Sequence, residues 1–143
     1  MAEVIAVCIS RKKGTVKKET DIITLEKDWG IVGDAHAGKW HRQVSLLAKE
    51  SVNKIQAKDF EIKNGDFAEN ILTQGIIVKD LPIGTKIKIN DVILEITQIG
   101  KTCHESCEIK KRIGLCIMPL EGVFAKVIEG GSIKKGDNIE IIA

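Results

Sequence analysis

Mainly β, with a few short helices and a barrel-like arrangement, is the fold class that this 143-residue sequence predicts. Aromatic residues make up only 3% and tyrosine is absent, so Ile and Val must supply most of the packing volume within a 43% hydrophobic content. Such β-branched residues favour strands. Short apolar runs recur between glycine-containing turns, the rhythm of a β domain. Strands do not alternate regularly with long helices, and no Gly-x-Gly-x-x-Gly follows a strand, which disfavours a doubly wound dinucleotide fold. Residues 1–143 form one domain, large enough to bury roughly two thirds of its unfolded surface without disulfides.

Val4 to Ile9 reads as a first buried strand, followed by a polar turn at Arg11-Lys12-Lys13-Gly14. Ile22 to Glu26 is a second strand. Gly30, Gly33 and Gly38 then mark an irregular loop that carries Asp34, His36, Lys39, His41 and Arg42, and Gln43 to Ala48 is a third strand. Lys49 to Ala57 has the spacing of a short amphipathic helix through Val52 and Ile55. Asn64-Gly65-Asp66 forms a turn that leads into Phe67 to Thr73. Thr85 to Ile89 alternates polar with apolar residues, Asn90-Asp91 turns, and Val92 to Ile99 returns, which predicts a β-hairpin. Pro119 is suited to open a helix with Val123, Ala125, Val127 and Ile128 on its apolar face, ended by Gly130-Gly131. Ile133 to Ile142 alternates as a last strand interrupted at Gly136-Asp137.

A net charge of +2, with Lys and Glu spread along the chain, lacks the concentrated basic surface that nucleic acid or a membrane requires. The first apolar run follows an acidic residue rather than a basic region, and no apolar stretch reaches spanning length; the expectation is a cytoplasmic protein. In that reducing compartment, four cysteines are thiols, metal ligands or catalytic groups before they are structural bridges.

Three of those cysteines, Cys103, Cys107 and Cys116, fall within fourteen residues. Cys103 ends a β-branched stretch and sits between Lys101 and His104. A thiol of pKa about 8.5 is roughly 3% thiolate at pH 7, and only the thiolate attacks sulfur or binds a soft metal. Lys101 and His104 can raise that fraction, whereas Glu105 and Glu108 would oppose them. Cys107, four residues on, would share a helical face with Cys103, as a redox partner or a second ligand. Cys-x-x-x-Cys differs from the Cys-x-x-Cys of zinc ribbons; a zinc-stabilised structural domain using Cys103 or His104, Cys107 and Cys116 is a minor alternative. An inert, buried Cys103 is an equal one on local context. Cys8 and Cys116 read as core.

The loop from Gly33 to Arg42 offers backbone donors, two imidazoles, Lys39 and Arg42 within ten residues, a set suited to an anion such as a phosphate. The planar fork of Arg42 makes it the best single anchor. A polar surface loop with a capping aspartate is the plainer alternative, and a His36/His41 metal pair a lesser one. In Gly65 to Thr73, Glu69 and Asn70 are polar groups inside an apolar run, where they either brace a loop or line a pocket. No Ser-His-Asp order or closely spaced carboxylate pair suggests hydrolase chemistry.

Gly33-Asp34-Ala35-His36 with His41-Arg42-Gln43-Val44-Ser45-Leu46, Gly65-Asp66-Phe67-Ala68-Glu69-Asn70, and Leu94 to Cys103 together resemble the MOSC domain, the module named after the C-terminal part of molybdenum cofactor sulfurase. The ending from Cys116-Ile117-Met118-Pro119 to Gly136-Asp137 is similar to the small stand-alone bacterial branch. The resemblance implies a β-barrel-like fold and a role with molybdenum cofactor (molybdopterin) or a precursor. It implies a Cys103 that carries sulfur as a persulfide or ligates molybdenum, with Lys39, His41, Arg42, Asn70 and Thr73 around the cofactor and His104, Lys101 and Cys107 acting on the thiol. The pyridoxal-phosphate (PLP) domain of larger relatives is not expected here. Sulfur would therefore come from a donor such as a cysteine desulfurase and pass to a molybdoenzyme or cofactor-biosynthesis protein. Sulfurtransferase activity is the enzymatic expectation, and independent oxidoreductase activity is not expected. A non-catalytic module that binds and delivers the cofactor is the alternative.

Overall fold

The computed structural model describes residues 2–12, 16–53, 63–65, 67–100 and 121–142, and they form a mainly β structure. In chain order the strands are β1 (Glu3–Ile9), β2 (Lys18–Thr20), β3 (Ile22–Glu26), β4 (Gly30–Ile31), β5 (Val44–Ala48), β6 (Ile71–Gln74), β7 (Lys86–Ile89), β8 (Val92–Ile99), β9 (Val123–Glu129), β10 (Gly131–Lys134) and β11 (Ile139–Ile141). One short helix, α1 (Lys49–Asn53), follows β5, and a 3-10 turn spans Val78–Asp80. The remainder of the helix expected up to Ala57 lies outside the described residues, as does Asp66. No described helix is long and apolar enough to cross a membrane.

The large sheet runs β11-β7-β8-β9-β5-β6-β1-β2, and a small sheet runs β10-β3-β4. Its pairs are antiparallel except β5 with β6, where Leu46 lies beside Ile71. Val4, Leu46, Ile71, Leu94 and Ala125 of the large sheet share one buried cluster with Ile23, Leu25, Ile31 and Ile133 of the small sheet. The small sheet thus covers one face of the large one. Leu47, Leu72 and Phe124 point to the other face, where Phe67 and Val52 of α1 cover them. Burial on both faces is why every residue of β5 is buried.

The β7–β8 hairpin pairs Ile89 with Val92 around the expected Asn90-Asp91 turn, and Asn90 takes a φ of 56° that asparagine tolerates. No closed barrel is found among the described residues, so the barrel-like part of the expectation is not confirmed. The outer edge of β1 is shared: Val7, Cys8 and Ile9 pair with β2, while residues 2–4 meet the stretch 136–139 through an isolated Glu3–Asn138 bridge and the bonds from Val4 N to Asp137 O, Gly136 N to Val4 O and Ile139 N to Ala2 O at 2.8, 2.8 and 2.9 Å.

Residues 123–129 are a strand and not part of the helix expected after Pro119. Val123, Ala125 and Val127 recur every second residue, all buried towards the main cluster, while Phe124 turns to the opposite face. Partners on both edges, β5 and β8, satisfy the backbone of this β-branched run. The last predicted strand divides at Gly136-Asp137 into β10 and β11, which belong to different sheets.

Candidate functional site

The loop joining β4 to β5 is anchored by Asp34. Its Oδ1 accepts from Ser10 N at 3.0 Å and Lys17 Nζ at 2.8 Å, and its Oδ2 accepts from His36 N at 3.0 Å. Lys17 Nζ also donates to Ser10 Oγ at 3.0 Å, and the Lys17 and Asp34 side chains are only 1% and 0% exposed. Burial alone would raise the Asp34 pKa, but hydrogen bonding from His36, the charge and hydrogen bond of Lys17, and the Ser10 amide outweigh it. The carboxyl is held well below the usual carboxylate range. Burial pushes Lys17 down, opposed by the Asp34 charge. The aspartate expected to cap a surface loop is therefore a buried anchor that ties three segments together.

That anchor passes order along the loop. His36 O accepts from Trp40 Nε1 at 2.7 Å, and the two rings lie 11° from parallel. The guanidinium carbon of Arg42 sits 5.9 Å from the Trp40 ring centre and 5.4 Å from that of Phe124 on β9, within cation–π range. Arg42 Nε donates to Gln98 Oε1 at 3.0 Å, and His41 Nε2 lies 2.7 Å from the same oxygen. Gln98 Nε2 donates to Gly100 O at 2.7 Å. The Thr97 hydroxyl donates to the carbonyl of His41, fixing the backbone beneath these side chains.

The structure thus brings His41 and Arg42 together on Gln98, with Lys39 exposed on the same loop. Among the described residues the Arg42 Nη groups have no hydrogen-bond partner. Asn70 and Thr73 are placed in the interior, both 0% exposed. Asn70 Oδ1 accepts from Ser45 N at 2.9 Å and Nδ2 donates to Cys8 O at 3.0 Å, stitching β5 to β1, while the Thr73 hydroxyl donates to Ile76 O. Glu69 accepts from Gly65 N at 2.8 Å and Phe67 N at 3.1 Å. Of the two roles open to Glu69 and Asn70, these bonds are those of bracing groups.

Lys101, Cys103, His104, Cys107 and Cys116 lie outside the described residues, and with them the expected zinc ligands. Both flanks of their segment are defined: Gly100 N donates to Gly122 O at 2.7 Å, so the chain leaves and returns at one point next to Gln98. Among the described residues no cluster of three His, Cys, Asp or Glu side chains could hold a metal.

Gln98 escaped the sequence reading although it carries a signal. It continues the alternation of Val92, Leu94 and Ile96, all inward, so a polar side chain falls at a position of core parity. Lys17 gave none, being one of several lysines in a polar stretch.

A mainly β domain with a pre-ordered loop that carries Lys39, His41 and Arg42 is the class these features define. The sequence profile of the MOSC domain matches residues 33–140, and the chain belongs to the MOSC domain family, which is generally linked to molybdenum cofactor-related proteins. Among solved structures, the YuaD protein from Bacillus subtilis superposes with a TM-score of 0.81 at 19% identity, covering 99% of this chain and 96% of that one. YiiM from Geobacillus stearothermophilus gives 0.76 at 14% identity over 100% of this chain and 76% of that one. YiiM from Escherichia coli gives 0.66 at 16% identity over 99% and 68%. At these identities the likeness is one of fold. No curated protein matches the sequence.

Proposed function

We propose that this chain binds molybdenum cofactor or a precursor through an anionic group held by Arg42, His41 and Lys39, and that Cys103 carries sulfur or ligates molybdenum beside it. The observation that carries the reading is the state of Arg42: its Nε is held by Gln98 and its guanidinium lies within cation–π range of Trp40 and Phe124, while its Nη groups have no hydrogen-bond partner among the described residues. A guanidinium held in this way is ready to form charge-assisted, bidentate bonds to a phosphate at little further ordering cost. The donor set fits the phosphate of a pterin cofactor, whose metal would supply a soft centre for thiolate. Cys103 is three residues from Gly100, so extended chain length keeps it within about 10 Å of that anchored point.

Sulfur loading follows from thiolate chemistry. The Cys103 thiolate attacks the terminal sulfur of a donor persulfide, a new S–S bond forms, and the donor departs as its own thiolate. Lys101 or His104 favours the attacking anion. Cys107 is placed in sequence to discharge the persulfide as a disulfide, releasing hydrosulfide. Asn70 supports this site from the core by tying Ser45, three residues beyond Arg42, to Cys8 of β1.

The test is intact and peptide mass spectrometry after incubation with a cysteine desulfurase and cysteine, with retained cofactor measured on the same preparation. A gain of one sulfur atom on Cys103, or cofactor lost on Cys103→Ser, supports the reading. Neither sulfur nor cofactor on the wild type rules out both versions. A second reading, cofactor delivery without thiol chemistry, is favoured by the completeness of the Arg42–Gln98 arrangement without any cysteine. In that case Cys103→Ser leaves cofactor affinity unchanged and Arg42→Ala weakens it.

A further inference from the structure

We infer that Gln98 is the positioning residue that gives the anion grip its direction, an inference that rests on the reading of Arg42 and His41 above. Its amide makes three bonds at once: Oε1 to Arg42 Nε and His41 Nε2, and Nε2 to the carbonyl of Gly100. Only one orientation of the amide allows this. Rotated by half a turn, its NH2 would face Arg42 Nε–H, a permanent donor, and its oxygen would face the Gly100 carbonyl.

Two consequences set the ligand. With Nε taken by Gln98, the Nη pair is the edge that Arg42 offers, an end-on fork that spans two oxygens of one tetrahedral oxyanion. Because Oε1 can only accept, His41 must carry a proton on Nε2, which fixes the tautomer of its neutral ring and leaves Nδ1 to accept the P–OH of a monoprotonated phosphate whose other oxygens face Arg42. A neutral amide achieves both without cancelling the guanidinium charge, whereas a carboxylate at the same place would hold the side chains and oppose the anion. Gln98 thereby selects oxyanions, and acts through its two neighbours instead of touching the ligand itself.

The experiment combines nitrogen-resolved NMR of the histidine rings with titration of inorganic phosphate into wild type, Gln98→Met, Gln98→Glu and Arg42→Ala. The chain has three histidines, so His41→Ala identifies the His41 signals. Wild type should show neutral His41 as the Nε2–H tautomer. Gln98→Met should give a tautomer mixture and bind phosphate roughly tenfold more weakly. Gln98→Glu should retain the tautomer yet also lose roughly tenfold in affinity, which covers the case in which the Met variant does not fold. A purely structural role would lower stability without moving the tautomer. Wild-type tautomer and affinity in Gln98→Met, with phosphate binding weakened in Arg42→Ala, would overturn this inference alone, as would unchanged affinity in Gln98→Glu. Wild type that binds no phosphate would overturn the anion reading beneath it.

Discussion

Replacing Asp34 by asparagine removes one charge from a pair whose side chains are 1% and 0% exposed and whose atoms lie 2.8 Å apart. Asparagine keeps one acceptor oxygen for Ser10 N and Lys17, but its amide would place a donor against His36 N, now bonded at 3.0 Å. Lys17 would keep neutral acceptors in that oxygen and in Ser10 Oγ but lose the adjacent negative charge, with only the more distant attraction of groups such as Glu69 left to offset its burial. Breaking a buried pair by removing one partner costs about 3 kcal/mol or more, which for a domain of this size lowers the melting temperature by about 10 °C. The assay is thermal and urea unfolding followed by circular dichroism across pH. The folded pKa of Asp34 lies below its unfolded value of 3.8, so its contribution is complete above that value and is lost as pH falls through the folded pKa. The gap between wild type and Asp34→Asn should narrow in strong acid, where the wild-type carboxylate takes up its proton. Lys17→Met with Asp34→Asn should cost less than the sum of the single changes by more than about 1 kcal/mol. A single-variant cost below about 0.5 kcal/mol, or additive changes, would refute the buried-anchor reasoning.

Gly65→Ala should destabilise by about 3 kcal/mol in the same assay, because its φ is 92° and an added Cβ would meet Lys17 O at 2.1 Å. Asn70→Leu should cost about 3 kcal/mol by leaving Ser45 N and Cys8 O without their buried partner, again read by urea unfolding. Arg42→Ala should weaken inorganic phosphate roughly tenfold by titration calorimetry while costing about 1 kcal/mol of stability through lost contact with Trp40 and Phe124.

Where a two-residue period stood alone, as in Lys86–Ile89 and Val92–Ile99, the strands were legible almost to the residue, and the Asn90-Asp91 turn with them. Val123–Glu129 was not, because a preceding proline and a following Gly-Gly pair frame a helix equally well, and its β8 and β5 partners are distant in sequence. Barrel closure was out of reach for a related reason. It depends on which strand takes the edge of β1, and no local pattern records that β2 and the stretch 136–139 divide it. Arg42 and His41 stood out by chemistry and spacing. Lys17 acquires its role from a contact across 17 residues of chain, which composition and periodicity do not encode, and Gln98, whose partner Arg42 lies 56 residues away, left only a polar residue in an apolar alternation.

The central claim, that the anion grip and the Cys103 thiol serve one site, is tested most directly by iodoacetamide alkylation of Cys103 with and without inorganic phosphate, using Cys8, 0% exposed, as the internal reference. The account predicts that Cys103 reacts well ahead of Cys8, that phosphate slows it in the wild type, and that Arg42→Ala removes the phosphate effect. A Cys103 no faster than Cys8, or one whose rate ignores phosphate that demonstrably binds at Arg42, would contradict it.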